Sequence, residues 1–415
     1  MIDYPNKLDI IFDKLKLFNI KPIIVGGYIR DKLLSLDSKD IDIELYGIDS
    51  LEELEKILTE FGSLNSVGKS FGVAKLRFFD LDLDFSLPRS DSKMGTGHRG
   101  FKVTTDKNLD FKTAASRRDF TINAMGYDVE KKLLLDPFFG LKDLELKILR
   151  AVDLDKFAED PLRVLRAVGF STRFHLEFDA PLFEKCKNMI KTGVLNELAS
   201  ERIFEEFKKF LLKSQKPSEA FLLLQNLGAF SFFSELNSLK RDLFHITIKA
   251  LDSLRSIDIE DEKEKLTLML ALICRNFTDE NRDMFLDKLT KDVKMIRDIK
   301  LYIELSKEFK ILNATDFSLY HLASKIELRK FLLFLDASFL GEKTKEIESI
   351  KTRAKTLNTY NKPMGPLIQG KDLISLGLKP SKEFSKILDK CYVAQMRALF
   401  STKECAIAWL KENLL

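Results

Sequence analysis

Ile23-Ile24-Val25-Gly26-Gly27-Tyr28-Ile29-Arg30-Asp31, followed by Lys39-Asp40-Ile41-Asp42-Ile43-Glu44-Leu45, is the stretch that decides how this chain is built. Its first part reads as a buried β-branched strand that ends in a double glycine and turns into a helix, with Arg30 in the opening turns. In the second part acidic and aliphatic residues alternate strictly. A period of two is a strand, which puts Asp40, Asp42 and Glu44 on one face and Ile41, Ile43 and Leu45 on the other. Aspartate is disfavoured in strands, and an isolated Asp-x-Asp is usually a solvated face. The neighbours change that reading. The glycine turn lets backbone N–H groups approach phosphate oxygens, the helix N-terminus adds favourable potential, and Arg30 offers a bidentate phosphate contact.

A second alternating segment, Asp80-Leu81-Asp82-Leu83-Asp84-Phe85, brings a further carboxylate from another strand. Periodicity leaves Asp82 and Asp84 equally placed for that role. Three converging carboxylates repel one another unless divalent cations neutralise them, and an all-oxygen set suits Mg²⁺. Such a site activates an attacking hydroxyl and stabilises a leaving pyrophosphate.

Outward from these segments the chain has two textures. Residues 1–145 mix short β-branched runs, such as Val73 to Phe78, with glycine turns and helices. Beyond about residue 150 apolar residues recur at three- and four-residue spacing, as in Ile203, Phe204, Phe207, Phe210 and Leu211. The expected fold is α+β, an N-terminal α/β head carrying an all-helical extension. Ser214 to Ser218 and Asn358 to Pro366 read as breaks between helical units. The expected segments are therefore a head over 1–145 and helical units over 146–213, 214–357 and 358–415.

With 45% hydrophobic and 32% charged residues among 415, the composition is globular. Its longest apolar run, Leu266 to Cys274, is too short to span a bilayer, and the N-terminus lacks the pattern of a secretory signal. Cys186, Cys274, Cys391 and Cys405 are scattered, which argues against a zinc knuckle or a disulfide framework and for reduced thiols in a cytoplasmic protein. A net charge of +4 permits RNA as a partner without requiring it. No required protein partner is evident.

Further motifs follow in order. Arg117-Arg118-Asp119-Phe120-Thr121-Ile122-Asn123-Ala124-Met125, Asp136-Pro137-Phe138-Phe139-Gly140-Leu141-Lys142-Asp143-Leu144 and Glu159-Asp160-Pro161-Leu162-Arg163-Val164-Leu165-Arg166 succeed the glycine–carboxylate segment. Together they resemble the class II tRNA nucleotidyltransferases, the CCA-adding enzymes, and the related bacterial poly(A) polymerases. Ser200-Glu201-Arg202-Ile203 is similar to the next helix of that family, and Gly370 to Leu378 to its tail. Strong resemblance covers roughly residues 20–210.

The resemblance implies a polymerase-β-like nucleotidyltransferase head followed by an all-α neck, body and tail, with the tRNA acceptor end along them. It implies addition of C, C and A to the tRNA 3′ end from CTP and ATP. Asp40 and Asp42 would bind Mg²⁺, and Asp84 matches the third carboxylate by its distance from Arg89. Gly27 and Arg30 would meet the triphosphate, and Arg118 the bound nucleotide. Residues 88–101, with Gly95, Gly97 and Gly100, resemble a flexible loop of the family that includes Arg89.

If residues 159–174 form one helix, Asp160 and Arg163 share a face, with Arg166 one turn on. A carboxylate accepts from the exocyclic amino group that cytosine and adenine share, while guanidinium N–H groups donate to ring acceptors. The resemblance assigns nucleotide choice to this pair and leaves Arg166 to reach phosphate or support it. Gly169 stands where the family usually has another Arg of the nucleotide pocket, which predicts altered kinetics unless Arg173 or another cation substitutes.

None of His98, His175, His245 and His321 precedes an Asp, so no metal-dependent phosphohydrolase site is expected. Poly(A) polymerase is the nearest alternative, and a non-catalytic RNA-binding module a distant one. Acidic groups facing a polyanion argue against the latter. Helical lysines such as Lys208, Lys209, Lys213, Lys371 and Lys379 suit phosphate but equally suit a solvated surface.

Overall fold

A computed structural model describes residues 2–62, 65–68, 73–93 and 101–415. It divides into two compact units. The first comprises Met1–Ser214 with Glu219–Ser234, the second Gln215–Ser218 with Glu235–Leu415.

The first unit begins with a seven-stranded sheet of order β3-β4-β5-β2-β1-β8-β9. Its strands are β1 (Lys21–Val25), β2 (Asp40–Tyr46), β3 (Asn65–Gly68), β4 (Val73–Phe78), β5 (Leu81–Ser86), β8 (Gly126–Asp128) and β9 (Leu133–Leu135). Neighbours run antiparallel except β2 and β5, which are parallel with Asp40 opposite Asp82 and Asp42 opposite Asp84. On the other side of β2, Asp42 is the register partner of Val25. The alternation in β2 therefore carries its acidic face into the centre of the sheet, beside the end of β1. Ile23, Ile24 and Val25 are all buried, as expected of a central strand covered on both faces.

Glu44 departs from the expected solvent-facing row. Asp40 and Asp42 are exposed, whereas Glu44 is 1% exposed. The Tyr46 hydroxyl donates to Glu44 Oε2 at 2.8 Å, and Arg117 lies 3.5 Å away, so the third carboxylate of the row is covered and paired.

The segment expected to be a flexible loop is partly ordered. Arg89–Lys93 (β6) and Phe101–Thr105 (β7) pair as an antiparallel ribbon. Alternating register across five residue pairs supplies ladder hydrogen bonds that a glycine-rich reading does not anticipate. Gly95, Gly97 and Gly100 lie outside the described residues.

Helices then take over. Those of the first unit that frame the site are α1 (Asp9–Leu17), α2 (Gly27–Leu33), α3 (Leu51–Leu58), α4 (Phe111–Ala115), α5 (Gly140–Glu145), α6 (Leu154–Ala158), α7 (Leu162–Phe174), α8 (Ala180–Lys191) and α9 (Ser200–Lys213). The single helix expected over 159–174 is a correction. α6 ends at Ala158 and α7 starts at Leu162, with Asp160 outside both. Pro161 explains the break, because it disfavours the α conformation in the residue before it and is well placed at a helix start. The Asp160 carboxylate accepts instead from the Leu162 N–H at 3.1 Å.

α7 buries Val164, Leu165, Ala167 and Val168. Gly169 is its contact with α9: a Cβ there would lie 3.2 Å from the wholly buried Phe210 ring. Phe210 in turn joins Phe207 (centroids 5.3 Å apart), which packs on Phe221 and Phe233. Gly169 thus lets two helices approach, which the sequence reading did not foresee. Arg173, the expected substitute cation, lies over the Phe174 ring at 4.6 Å and 4.0 Å from Asp31. We expect Gly169→Arg to lose about 1–3 kcal/mol of stability through overpacking, measured by urea denaturation. Wild-type stability would show that the ring yields.

The second unit is helical throughout its described secondary structure. The apolar run 266–274 is the centre of the helix Glu262–Cys274, buried from Lys265 onward. A separate cluster of Ile368, Leu373, Cys391, Phe400 and Leu410 closes the C-terminal end. No helix among the described residues is long and apolar enough to cross a membrane.

Candidate active site

The turn after β1 is the first element of the site. Gly26 has φ +72°, and a Cβ there would come within 2.5 Å of an Arg118 Nη and 3.4 Å of Asp42 Oδ2. Only glycine accepts both this backbone conformation and this approach. The sequence reading had chosen Gly27, whose added Cβ would meet nothing closer than Arg30 at 3.4 Å. The strained glycine is its predecessor, which holds Asp42 and Arg118 against the turn.

A cavity of about 430 Å³ opens there, lined by seven of the residues singled out in the sequence: Gly27, Arg30, Asp42, Arg118, Asp160, Arg163 and Arg166. Arg117, Asp119, Asn123, Phe170 and Arg202 also line it and were not called. Asp40, Asp84 and Arg89 are outside this lining. Six arginines face three aspartates, so the cavity is strongly positive and suited to a polyphosphate.

One network of charged hydrogen bonds floors it. Arg30 donates from Nε and Nη2 to Asp31 Oδ1 (2.8 and 2.6 Å) and from Nη1 to Asn123 Oδ1 (2.5 Å). Phe170 and Phe174 cover the guanidinium at 5.0 and 4.5 Å. Asn123 passes the chain on through Nδ2 to Asp119 Oδ1 (3.0 Å), whose Oδ2 takes Arg166 Nε at 2.7 Å and Nη2 at 2.6 Å. Burial pushes the Asp119 carboxyl up, but Arg166 and the Asn123 hydrogen bond outweigh it and hold the group below its usual range. Burial lowers the Arg30 pKa, opposed by Asp31.

The expected Asp160–Arg163 pair is a second correction. Arg163 donates to the carbonyls of Lys156 (2.8 Å) and Arg117 (2.6 Å). Asp160 receives Arg202 Nη2 at 2.9 and 3.2 Å. The two side chains share the cavity, each anchored by a different element, because Asp160 precedes α7 rather than lying on its face. A carboxylate has about four lone-pair sites, so Asp160 keeps acceptor capacity beyond Leu162 and Arg202.

Asp42 is the most perturbed acid of the acidic face. Its carboxyl is raised by burial first, Arg118 opposing, with Asp84 and Asp40 adding to the rise. The expected convergence of three free carboxylates is modified here, since Asp84 Oδ2 lies 2.6 Å from Lys75 Nζ. No group of three His, Cys, Asp or Glu gathers as a metal centre among the described residues. Even so, hard oxygen donors from Asp40 and Asp42, with the mutual repulsion that raises Asp42, are the chemistry a divalent cation relieves. The donor set fits Mg²⁺.

Comparison with known proteins follows the same division. Residues 23–150 match the family described as "Poly A polymerase head domain", and residues 176–239 match "Probable RNA and SrmB- binding site of polymerase A". A protein of Neisseria meningitidis called multifunctional CCA protein is 34% identical over 217 residues, 52% of this chain and 49% of its own length. One of that name from Haemophilus ducreyi is 31% identical over 268 residues, 61% of this chain and 62% of its own. The chain thus spans about half to three-fifths of the curated relatives it matches. In fold it is similar to the Bacillus stearothermophilus CCA-adding enzyme in complex with CTP (TM-score 0.77, 21% identity, 99% of this chain and 98% of that one). The Thermotoga maritima CCA-adding enzyme complexed with tRNA gives 0.67 at 21% identity over 99% and 96%. With its head, its ordered motifs and its α+β architecture all in agreement, the chain belongs to the family of the CCA-adding tRNA nucleotidyltransferases and bacterial poly(A) polymerases.

Proposed function

We propose that this chain adds C, C and A to the 3′ end of tRNA from CTP and ATP, releasing pyrophosphate. The observation that carries the reading is the single arginine-rich cavity beside Asp42, into which Asp160 and Arg163 also open. Relatives named multifunctional CCA protein, and the CTP and tRNA complexes of similarly folded enzymes, support it. In this reading residues 1–145 are the catalytic head, 146–213 the neck with the nucleotide-selecting segment, 214–357 the body and 358–415 a tRNA-binding tail. The scattered free cysteines fit a cytoplasmic protein.

Asp40 and Asp42 would hold Mg²⁺, with Asp84 as third carboxylate; when bound, the ion acidifies the attacking 3′-hydroxyl and neutralises charge on the leaving pyrophosphate. Gly27, Arg30 and Arg118 bind the triphosphate. Of these, Arg30 is held rigidly by Asp31 and Asn123. Asp160 accepts the exocyclic amino group of cytosine or adenine, and Arg163 donates to the ring acceptor beside it. Guanine and uracil present a carbonyl instead, leaving acceptor against acceptor. Arg166, locked on Asp119, supports this pair. Arg89 belongs to the segment proposed to move during the final A addition.

The test supplies purified protein with tRNA transcripts ending before CCA, after C, or after CC, and with CTP and ATP separately and together. Growth that stops at the completed CCA is expected. A long A tail would identify a poly(A) polymerase instead, and absence of incorporation would overturn the proposal.

A further inference from the structure

The strand beyond Asp84 carries positive charge at the same register. On β4, Lys75 is the register partner of Asp84 and Arg77 of Asp82. Lys75 Nζ lies 2.6 Å from Asp84 Oδ2, and Arg77 Nη1 2.5 Å from Asp82 Oδ1. The two cations are not equivalent. Asp84 is the register partner of Asp42, so Lys75 reaches the side of the acidic face that carries the metal-binding reading, whereas Arg77 sits one pair further out with Asp82 and Asp40. Lys75 is influenced by Asp42 and Asp40 as well as Asp84. Its side chain is 61% exposed, and its pairing leaves the four-carbon stem free to swing outward.

We propose that Lys75 is an internal counter-ion for the acidic face, a positioning residue that pairs with Asp84 in the metal-free protein and is displaced when a divalent cation binds. The proposal rests on the metal site assigned above to Asp40, Asp42 and Asp84. An ammonium and a divalent cation cannot both sit at hydrogen-bond distance from one carboxylate without strong repulsion. Metal binding must therefore break the Lys75–Asp84 pair, and part of its free energy goes into doing so. The same pair lowers repulsion among the carboxylates in the metal-free state, so removing it has opposite effects on metal affinity and on metal-free stability. Arg77, paired with Asp82, has no such conflict and serves as the internal control.

The experiment titrates the nucleotide-free full chain with Mn²⁺, followed by electron paramagnetic resonance. Lys75→Met is expected to bind Mn²⁺ roughly three- to tenfold more tightly than wild type, the scale of one partly exposed ion pair plus a nearby like charge. Lys75→Arg and Arg77→Met are expected to keep wild-type affinity. In thermal melts Lys75→Met is expected to unfold earlier than wild type in EDTA, with the gap closing as Mn²⁺ is added. Affinity for Mn²⁺ equal to or weaker than wild type in Lys75→Met, with Asp42→Asn abolishing binding, overturns the role of Lys75 alone. Undiminished Mn²⁺ binding by Asp42→Asn overturns the metal site itself, and the proposal with it. A melting gap that ignores Mn²⁺ would mark Lys75 as merely structural and also overturn the proposal.

Discussion

Asp42→Asn is expected to lower nucleotide incorporation about a thousandfold or more while making the metal-free protein harder to unfold at neutral pH. The loss follows from removing a carboxylate that would hold Mg²⁺: several kcal/mol of charge stabilisation corresponds, at about 1.36 kcal/mol per decade, to roughly three decades of rate. The gain follows from the direction of the Asp42 shift. Burial, with Asp84 and Asp40, raises its folded pKa above the ordinary 3.8, despite Arg118. A raised carboxyl contributes full stability below its unfolded pKa and loses it as pH rises through the folded value, so at neutral pH the ionised group opposes folding. Asparagine carries no such charge. Single-turnover incorporation and a thermal melt in EDTA test both halves. A variant that loses activity but melts below wild type would show that Asp42 is held chiefly by Arg118.

Asp119→Ala is expected to cost about 3–5 kcal/mol, the scale of breaking a buried ion pair and leaving its partner uncompensated. Asp119 is 7% exposed and takes two bonds from Arg166, one from Asn123 and one from the Phe120 N–H. Its removal frees Asn123, which orients Arg30, and Arg166, which lines the cavity, so nucleotide binding is expected to fall with stability. Asp119→Ala combined with Arg166→Met is expected to be more stable than Asp119→Ala alone, because no buried charge is left unpaired. Urea denaturation of the two single variants and the double variant decides it; strictly additive losses would deny the coupling. The pH dependence has the opposite sign to that of Asp42. With its folded pKa lowered, Asp119 contributes stability above its unfolded value that is lost as acid titrates the folded carboxyl.

The two predictions differ in how far the sequence could foresee them. Asp42 was legible because alternation at a period of two is a local property, and the double glycine before it is a local turn signal. Asp119 was quoted within a motif, yet its role depends on Arg166, 47 residues away, and no spacing rule pairs residues so distant. Arg202 escaped for the same reason, since Asp160 lies 42 residues before it. The Gly169 departure was visible, but its contact with Phe210 on another helix was not.

By itself the sequence determined the α+β order, the strand that carries Asp40 and Asp42, the turn that precedes it and the helical character of everything after the head. These follow from periodicity and turn chemistry, which act over a few residues. Only the tertiary structure decided which carboxylates are free and which are held. Glu44 is covered by Tyr46 and Arg117, Asp84 carries Lys75, Asp160 carries Arg202, and Asp119 secures Arg166. The physical reason is the same in each case. Partner choice for a charge is set by which distant strand or helix brings an opposite charge within about 3–4 Å, and that distance exists only once the chain has folded.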